Sequence, residues 1–227
     1  MNRTLHHFPL DPASRQVRLA LGEKRLAFGE VKERYWERSR SFLALNPSGL
    51  TPVLVEREEG AADVVVCESR AILEHLEEIA PEPGLMGRDP TERAETRRLL
   101  QWFDRKFDEE VNGLLLHEKM EKRLLGQGAP DHSRLRAGRD ALKTHLAYIE
   151  RLLDQRDWLN GRRLSLADFA AAAHLSVIDY FGDIPWGDFR GVRTWYMRIK
   201  SRPCFRPLLA DRWPGLKPAP HYDDLDF

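Results

Sequence analysis

The chain has 227 residues with 36 basic and 36 acidic side chains, so its formal net charge is zero. A balanced charge argues against a protein that coats nucleic acid, because phosphate affinity requires a positive surplus. The longest apolar runs, such as 169–177, are about half the roughly 20 residues that span a bilayer, and the N-terminus lacks a signal-peptide core. The composition therefore predicts a cytoplasmic protein without membrane insertion or a nucleic-acid partner.

The cysteines and the apolar content indicate an ordinary intracellular globular chain. The length allows one large domain or two small ones, and 42% of the residues are apolar, which is enough for a core. Cys67 and Cys204 lie neither in a metal-ligand spacing nor in a C-x-x-C motif. They predict two buried thiols in a reducing compartment and no metal site.

The first eighty residues alternate between strand and helix patterns. A short strand is predicted at 4–8, a helix over 17–21 and a weak strand at 27–31. A short helix around Phe42 ends at the turn cluster 46–49. The same alternation continues beyond this turn, which predicts a mixed sheet with helices.

Two further β-rich runs, 52–55 and 63–67, are separated by an acidic turn that contains glycine, and they predict a hairpin. Apolar residues then recur at helical spacing over 72–79, and Pro81 ends that helix. These elements complete a small α/β unit.

From Pro90 onward the sequence carries no strand signal. Apolar residues predict helices over 99–114, 135–153 and 169–181, and another helix around Trp195. Ser165 and Asp168 form a capping-box pattern before the third of these helices, whose alanine-rich sequence predicts burial on most sides. The predicted division is an N-terminal domain 1–80, a linker 81–90, a helical domain 91–217 and a tail 218–227.

Five motifs in this order resemble the glutathione transferase superfamily. They are SRQVRLAL at 14–21, NPSGLTPVL at 46–54, ESRAI at 68–72, SLAD at 165–168 and SRPCF at 201–205. The resemblance implies an α+β two-domain fold, with an N-terminal thioredoxin-like α/β domain that contains a cis-proline and a C-terminal all-α domain.

The same resemblance places a glutathione-type site in the N-terminal domain. Thr51 and Pro52 match the cis-proline loop, and Glu68 and Ser69 match the turn that holds the γ-glutamyl group. A Thr51–Pro52 cis bond costs only about 0.5–1 kcal/mol. Ser69 has two interpretations, a ligand contact at a helix N-terminus or a simple N-cap.

The activating position of this site carries an acid. Family transferases use Tyr, Ser or Cys after the first strand to stabilise the glutathione thiolate, and here the best match is Asp11. An ionised carboxylate only accepts hydrogen bonds, and its charge raises the pKa of a nearby thiol. Ser14 is the one hydroxyl in this loop, and we expect it to cap the helix. We therefore expect no transferase activity, no cofactor and an unused remnant site.

The C-terminal tail is unusual for an enzyme of this family. It contains two prolines and three acids and ends HYDDLDF, which predicts a short interaction motif. A disordered tail, or one packed on its own domain, is the alternative. The predicted partner contacts are His221, Tyr222, Asp223, Asp224, Leu225, Asp226, Phe227 and Trp36. For Trp36 the alternative is packing at the edge of the domain.

The tail and segments such as 170–180 and 202–212 resemble the glutathione-transferase-like cell-division proteins of α-proteobacteria. This resemblance implies a homodimer at the division site that binds the tubulin-like protein FtsZ. It further implies that the protein favours curved filament bundles and links the division ring to septal cell-wall synthesis through the tail. The alternative is a glutathione-dependent transferase that acts on small electrophiles.

The zero net charge conceals a polarised C-terminal region. Residues 190–217 carry eight basic side chains and one acidic side chain, whereas the last ten residues carry three acids and no base. This contrast predicts either a basic surface that attracts an acidic protein or pairing with the acidic tail. The residues concerned are Arg190, Arg193, Arg198, Lys200, Arg202 and Arg206.

Overall fold

The computed structural model describes residues 2–225, and its sheet lies in the first third of the chain. The four strands are β1 (Asn2–His7), β2 (Gly29–Lys32), β3 (Val53–Arg57) and β4 (Val64–Cys67), in the spatial order β2-β1-β3-β4. β1 pairs with β2 in parallel and with β3 antiparallel, and β3 pairs antiparallel with β4. The predicted hairpin is β3–β4.

Three helices accompany this sheet. They are α1 (Pro12–Glu23), α2 (Arg40–Leu45) and α3 (Ser69–Ile79), and a 3₁₀ turn covers Tyr35–Glu37. Leu5, Leu54 and the inner faces of α1 and α3 are fully buried together in the core. This arrangement confirms the thioredoxin-like α/β domain, and the Thr51–Pro52 bond is cis as predicted.

The helical part of the chain begins with a continuous helical segment over 90–125. It contains two π-helical stretches, Trp102–Asn112 and His117–Glu121, and ends at Gly126, whose φ of 65° is left-handed. The α-helices of this domain are α4 (Pro90–Gln101), α5 (Gly113–Leu116), α6 (Lys122–Leu125), α7 (His132–Leu153), α8 (Leu166–Tyr180), α9 (Arg190–Lys200) and α10 (Arg206–Leu209).

Helix α8 is the centre of the helical domain and also packs against α1. All fifteen of its residues are buried, which confirms the expectation from its alanine-rich sequence. The predicted capping box is present: the Asp168 carboxylate accepts from the backbone N–H and the hydroxyl of Ser165, at 2.9 and 2.8 Å. Among residues 2–225, no helix combines the length and the apolar composition that a membrane crossing requires.

The described part of the tail packs on its own domain. The backbone N–H of Ala219 donates to the carbonyl of Tyr180 at 2.7 Å, and Tyr222 is completely buried. The ring of Tyr222 fills the core beside Tyr180, which favours the alternative of a tail packed on its own domain. His221 and Leu225 are partly buried and Asp223 and Asp224 are exposed, whereas Asp226 and Phe227 lie outside the described residues.

The basic stretch 190–217 is divided between the surface and the interior: Arg190, Arg198 and Arg206 are exposed, whereas Lys200 and Arg202 make inward contacts. Lys200 is completely buried; its Nζ lies 3.7 Å from Asp179 Oδ2 and donates to the Asp224 carbonyl at 2.6 Å. Arg202 pairs with Glu23 of α1. For Lys200 the interpretation of pairing with the tail holds, because it binds the tail through the backbone carbonyl of Asp224.

Candidate functional site

A cleft of 450 Å³ opens between the thioredoxin-like domain and the helical segment 90–125. On one side it is lined by the loop that starts α1, by Thr51 and by the first residues of α3. On the other side it is lined by Asp104, Asp108 and further polar residues of the π-helical stretch. Its volume lies within the range of roughly 300–1,000 Å³ found for ligand pockets.

Asp11 is the N-cap of α1, and four donors occupy its carboxylate. Its oxygens accept from the backbone N–H groups of Ala13 and Ser14 at 3.1 Å each. They also accept from the hydroxyls of Ser14 at 2.6 Å and Thr51 at 2.8 Å. Burial raises the pKa of Asp11, and these hydrogen bonds act in the opposite direction. Asp11 is thus part of the wall of the cleft and ties α1 to the cis-proline loop.

Ser14 does not cap α1 as expected. It is completely buried, and its hydroxyl donates to Asp11 while accepting from the backbone N–H of Phe8 at 3.3 Å. The expectation failed because Asp11, three residues earlier, is the N-cap, and its carboxylate satisfies the first N–H groups of the helix. With both hydrogen-bonding directions in use, Ser14 is unavailable to a ligand.

The cis-proline loop and the start of α3 lie together at the rim of the cleft. The carbonyl of Pro52 accepts from the backbone N–H of Glu68 at 3.3 Å, and Glu68 has a φ of 72°. Glu68 is the N-cap of α3 and Ser69 is its first helical residue, so the N-cap interpretation of Ser69 is wrong. Pro52 itself lies in the loop, next to the Thr51 side chain that lines the cleft.

The opposite wall is a network of carboxylate, amide and imidazole groups. Gln16 donates to Asp104 Oδ1 at 2.6 Å, and the amide nitrogen of Asn112 donates to Asp108 Oδ1 at 2.9 Å. The same amide nitrogen lies 2.7 Å from Nδ1 of His174. Because the amide nitrogen is a donor, Nδ1 of His174 is the hydrogen-bond acceptor. Asp104, Asp108, Asn112 and His174 all line the cleft.

Sequence reasoning missed this wall. Its signal was the four-residue spacing of Asp104, Asp108 and Asn112, which keeps polar side chains on one face of the helix. His174 could not be found in this way, because it lies on an apolar helix where a buried histidine is unremarkable.

Trp36 lies outside the cleft in an aromatic cluster. Its ring meets those of Phe8 and Trp213 edge-on, with centroids 5.3 and 5.8 Å apart. It also meets Tyr35, which lines the cleft. The structure therefore places Trp36, partly buried, at the edge of the domain, as the alternative interpretation had it.

The fold and the cleft define a glutathione transferase type of protein, and comparison with known families agrees. The chain matches the glutathione S-transferase N-terminal domain over residues 5–84 and the C-terminal domain over residues 118–198. The chain belongs to the glutathione S-transferase family.

Over its whole length the chain is similar to FtsZ-localized protein A of Caulobacter vibrioides, with 73% identity over 227 residues that cover 99% of that protein. The solved structure of FzlA from C. crescentus superposes with a TM-score of 0.98 over 100% of both chains. A glutathione S-transferase structure from Rhodospirillum rubrum F11 has 51% identity and a TM-score of 0.95, covering 99% of this chain and 100% of that one. GstB of Escherichia coli K12 is 26% identical over 202 residues, which cover 86% of this chain and 91% of GstB.

Proposed function

We propose that this protein is a non-catalytic glutathione-transferase-like adaptor of the bacterial division site. It binds FtsZ filaments, promotes their curved bundling and connects the division ring to septal cell-wall synthesis, as a cytoplasmic homodimer. The observation that carries the proposal is the 73% identity with FtsZ-localized protein A, which extends from one end of the chain to the other. The division into domains 1–80 and 91–217, with linker 81–90 and tail 218–227, is part of the proposal.

The geometry around Asp11 supports the non-catalytic part of the proposal. A thiol activator must donate a hydrogen bond to the sulfur, or place a positive charge beside it. Asp11 instead directs its carboxylate at Ser14 and Thr51, and four donors already occupy it. Negative charge at this position disfavours a neighbouring thiolate.

The tail is the proposed link to the cell-wall machinery, but through fewer residues than its sequence predicted. Because Tyr222 is buried, we propose no partner contact for it, and the exposed Asp223 and Asp224 are the proposed accessible groups. The contacts proposed for Asp226 and Phe227 concern residues outside the described range. We propose that Tyr222 anchors the tail to its own domain and thereby positions the segment that follows it for contact with a partner.

Electron microscopy of FtsZ polymers tests the bundling directly. FtsZ is assembled with GTP in the presence of this protein, of E. coli GstB as a family control, or of neither. We expect curved bundles only with this protein. Straight, separate filaments in all three samples would refute the proposed function.

Deleting residues 225–227 tests whether the tail has a role that is separate from filament binding. The deletion retains Asp224, whose carbonyl accepts from Lys200, so we expect an unchanged melting temperature and unchanged bundling. Complementation in dividing cells should fail, because signalling to wall synthesis is lost. Full complementation by the truncated chain would exclude the tail from that role.

The second candidate is a glutathione-dependent transferase acting on small electrophiles. It is favoured by the cis Thr51–Pro52 bond and by Ser69, which lines the cleft at the start of α3. A bound ligand at a hundred times its Kd would add about 2.7 kcal/mol to stability. A higher melting temperature with millimolar glutathione, together with conjugation of an electrophile, would support this candidate instead.

A further inference from the structure

The cleft carries an excess of negative charge. Among the described residues, four carboxylates besides Asp11 line it, and the single arginine on this lining, Arg70, has its Nε 3.3 Å from Oε1 of Glu74 outside the cleft. The four lining carboxylates are those of Glu68, Asp104, Asp108 and Glu121. None of the four has a Lys or Arg partner among residues 2–225; Glu121 pairs with His117, and Asp104 lies 3.5 Å from His174.

A second and independent feature of the same wall is a hydrogen-bond acceptor that has no donor. Asn112 lines the cleft and is 5% exposed, yet its Oδ1 has no hydrogen-bond partner in the described chain. Gln16 does not line the cleft, but it donates to Asp104, is fully buried and also has an unpartnered Oε1. A buried acceptor without a donor costs free energy, so a site that keeps such acceptors is suited to a ligand that brings donors.

The excess of carboxylates and the acceptor without a donor favour the same kind of ligand. Carboxylates without a Lys or Arg partner favour a positive charge, and an amide oxygen without a donor favours an N–H group. Glutathione, with two carboxylates and one ammonium group, has the opposite net charge. We propose that the wall of the cleft formed by Asp104, Asp108 and Asn112 binds a cationic N–H donor group, an alkylammonium or a guanidinium. Its source is either a free polyamine or a basic side chain of a peptide.

The shape of the cleft agrees with this proposal. At 450 Å³ it accommodates an extended chain of amine or arginine size. Leu116 and Met120 contribute apolar surface beside the carboxylates, which suits the methylene stem of such a group. The inference concerns a ligand site and is independent of FtsZ binding.

Calorimetric titration of the full chain tests the proposal with three probes. Spermidine represents the polyamine, a capped peptide with one central arginine represents the basic side chain, and glutathione is the anionic counter-probe. We expect saturable binding of spermidine or of the peptide, stronger at low ionic strength, with weaker or no binding of glutathione. Which of the two cations binds more tightly identifies the source of the group.

Matched variants locate the site. Asp108 is exposed on the helix, so Asp108→Asn removes its charge without disturbing the core; Glu109→Gln makes the same charge change at the next residue, which does not line the cleft. We expect Asp108→Asn and Asp104→Asn each to weaken cation binding about tenfold, because a hydrogen bond to a charged group contributes about 1.5–3 kcal/mol. Glu109→Gln should bind like the unmodified protein.

Three results would overturn the proposal. The first is no saturable binding of either cation up to about 10 mM, a concentration that fills a site of millimolar Kd. The second is equal weakening by Asp108→Asn and Glu109→Gln, which would indicate general charge attraction. The third is complete displacement of the cation by magnesium chloride but not by sodium chloride of equal ionic strength, which would indicate a metal site.

Discussion

At the scale of single residues, the position of Asp11 could be predicted but its role could not. The loop sequence places an acid where the family resemblance requires a hydroxyl or thiol. The hydrogen bond from Thr51 to Asp11, at 2.8 Å, joins residues forty positions apart and has no local sequence signal. The same reason explains why Ser14 was misassigned, since the competing cap could only be judged from the geometry.

His7 provides a prediction about pH. It is fully buried, and burial, assisted by the charges of Arg18 and Lys32, lowers its pKa from 6.5 to about 3. Between these values the unfolded chain binds a proton that the folded protein excludes, so stability falls as the pH decreases below about 6.5. The loss is about 1.4 kcal/mol per pH unit.

We therefore expect His7→Leu to be less sensitive to acid than the unmodified protein. Urea unfolding between about pH 7 and pH 5 should show about 2 kcal/mol less decrease in stability in this variant. The exposed His132, changed to Gln, is the control and should leave the decrease unaltered. An equal decrease in all three proteins would show that folding does not lower the pKa of His7.

At the scale of elements, periodicity predicted the order of strands and helices because each element has one clear apolar face. It did not predict the π-helical stretches in residues 90–125. Phe103, Phe107, Val111 and Leu115 are all fully buried and are spaced by four, which exceeds the 3.6-residue α-helical period. Wider turns keep such residues on one face, but the spacing alone is compatible with an ordinary helix.

The start of α8 provides the prediction at this scale. Besides Ser165, the Asp168 carboxylate accepts from the backbone N–H of Leu159 at 2.8 Å and from the indole N–H of Trp195 at 2.9 Å. Asp168→Asn replaces one acceptor oxygen by a donor within this buried cluster. We expect a loss of about 2–4 kcal/mol in the free energy of unfolding.

The same change at Asp131 is the matched control, because Asp131 caps α7 in an exposed position. Its loss should be about 1 kcal/mol. Urea denaturation of both variants makes the comparison. Similar losses at the two positions would mean that the contacts of Asp168 beyond simple capping contribute nothing.

At the scale of the whole molecule, the two domains are joined by a buried charge cluster between α1 and the C-terminal segment. Asp211 Oδ2 accepts from Arg18 at 2.7 Å and from Arg15 at 3.2 Å, and Arg15 also donates to the hydroxyl of Tyr222 at 3.0 Å. Arg15 is completely buried. The sequence showed a basic residue on α1, but not its partners some two hundred positions away.

Removing the acid from this cluster should weaken the whole fold. Asp211→Asn leaves Arg15 buried without its carboxylate partner, and we expect a loss of about 3–5 kcal/mol. The exposed Asp188, changed to Asn, should have almost no effect. Thermal unfolding distinguishes the variants, and an unchanged melting temperature for Asp211→Asn would show that the cluster does not stabilise the domain contact.

Co-sedimentation with FtsZ polymers is the measurement that tests the central claim most directly. FtsZ is polymerised with GTP, mixed with this protein at micromolar concentration and centrifuged, once without glutathione and once with millimolar glutathione. We expect the protein to pellet with the polymers to the same extent in both samples. A protein that stays in the supernatant would contradict the adaptor function.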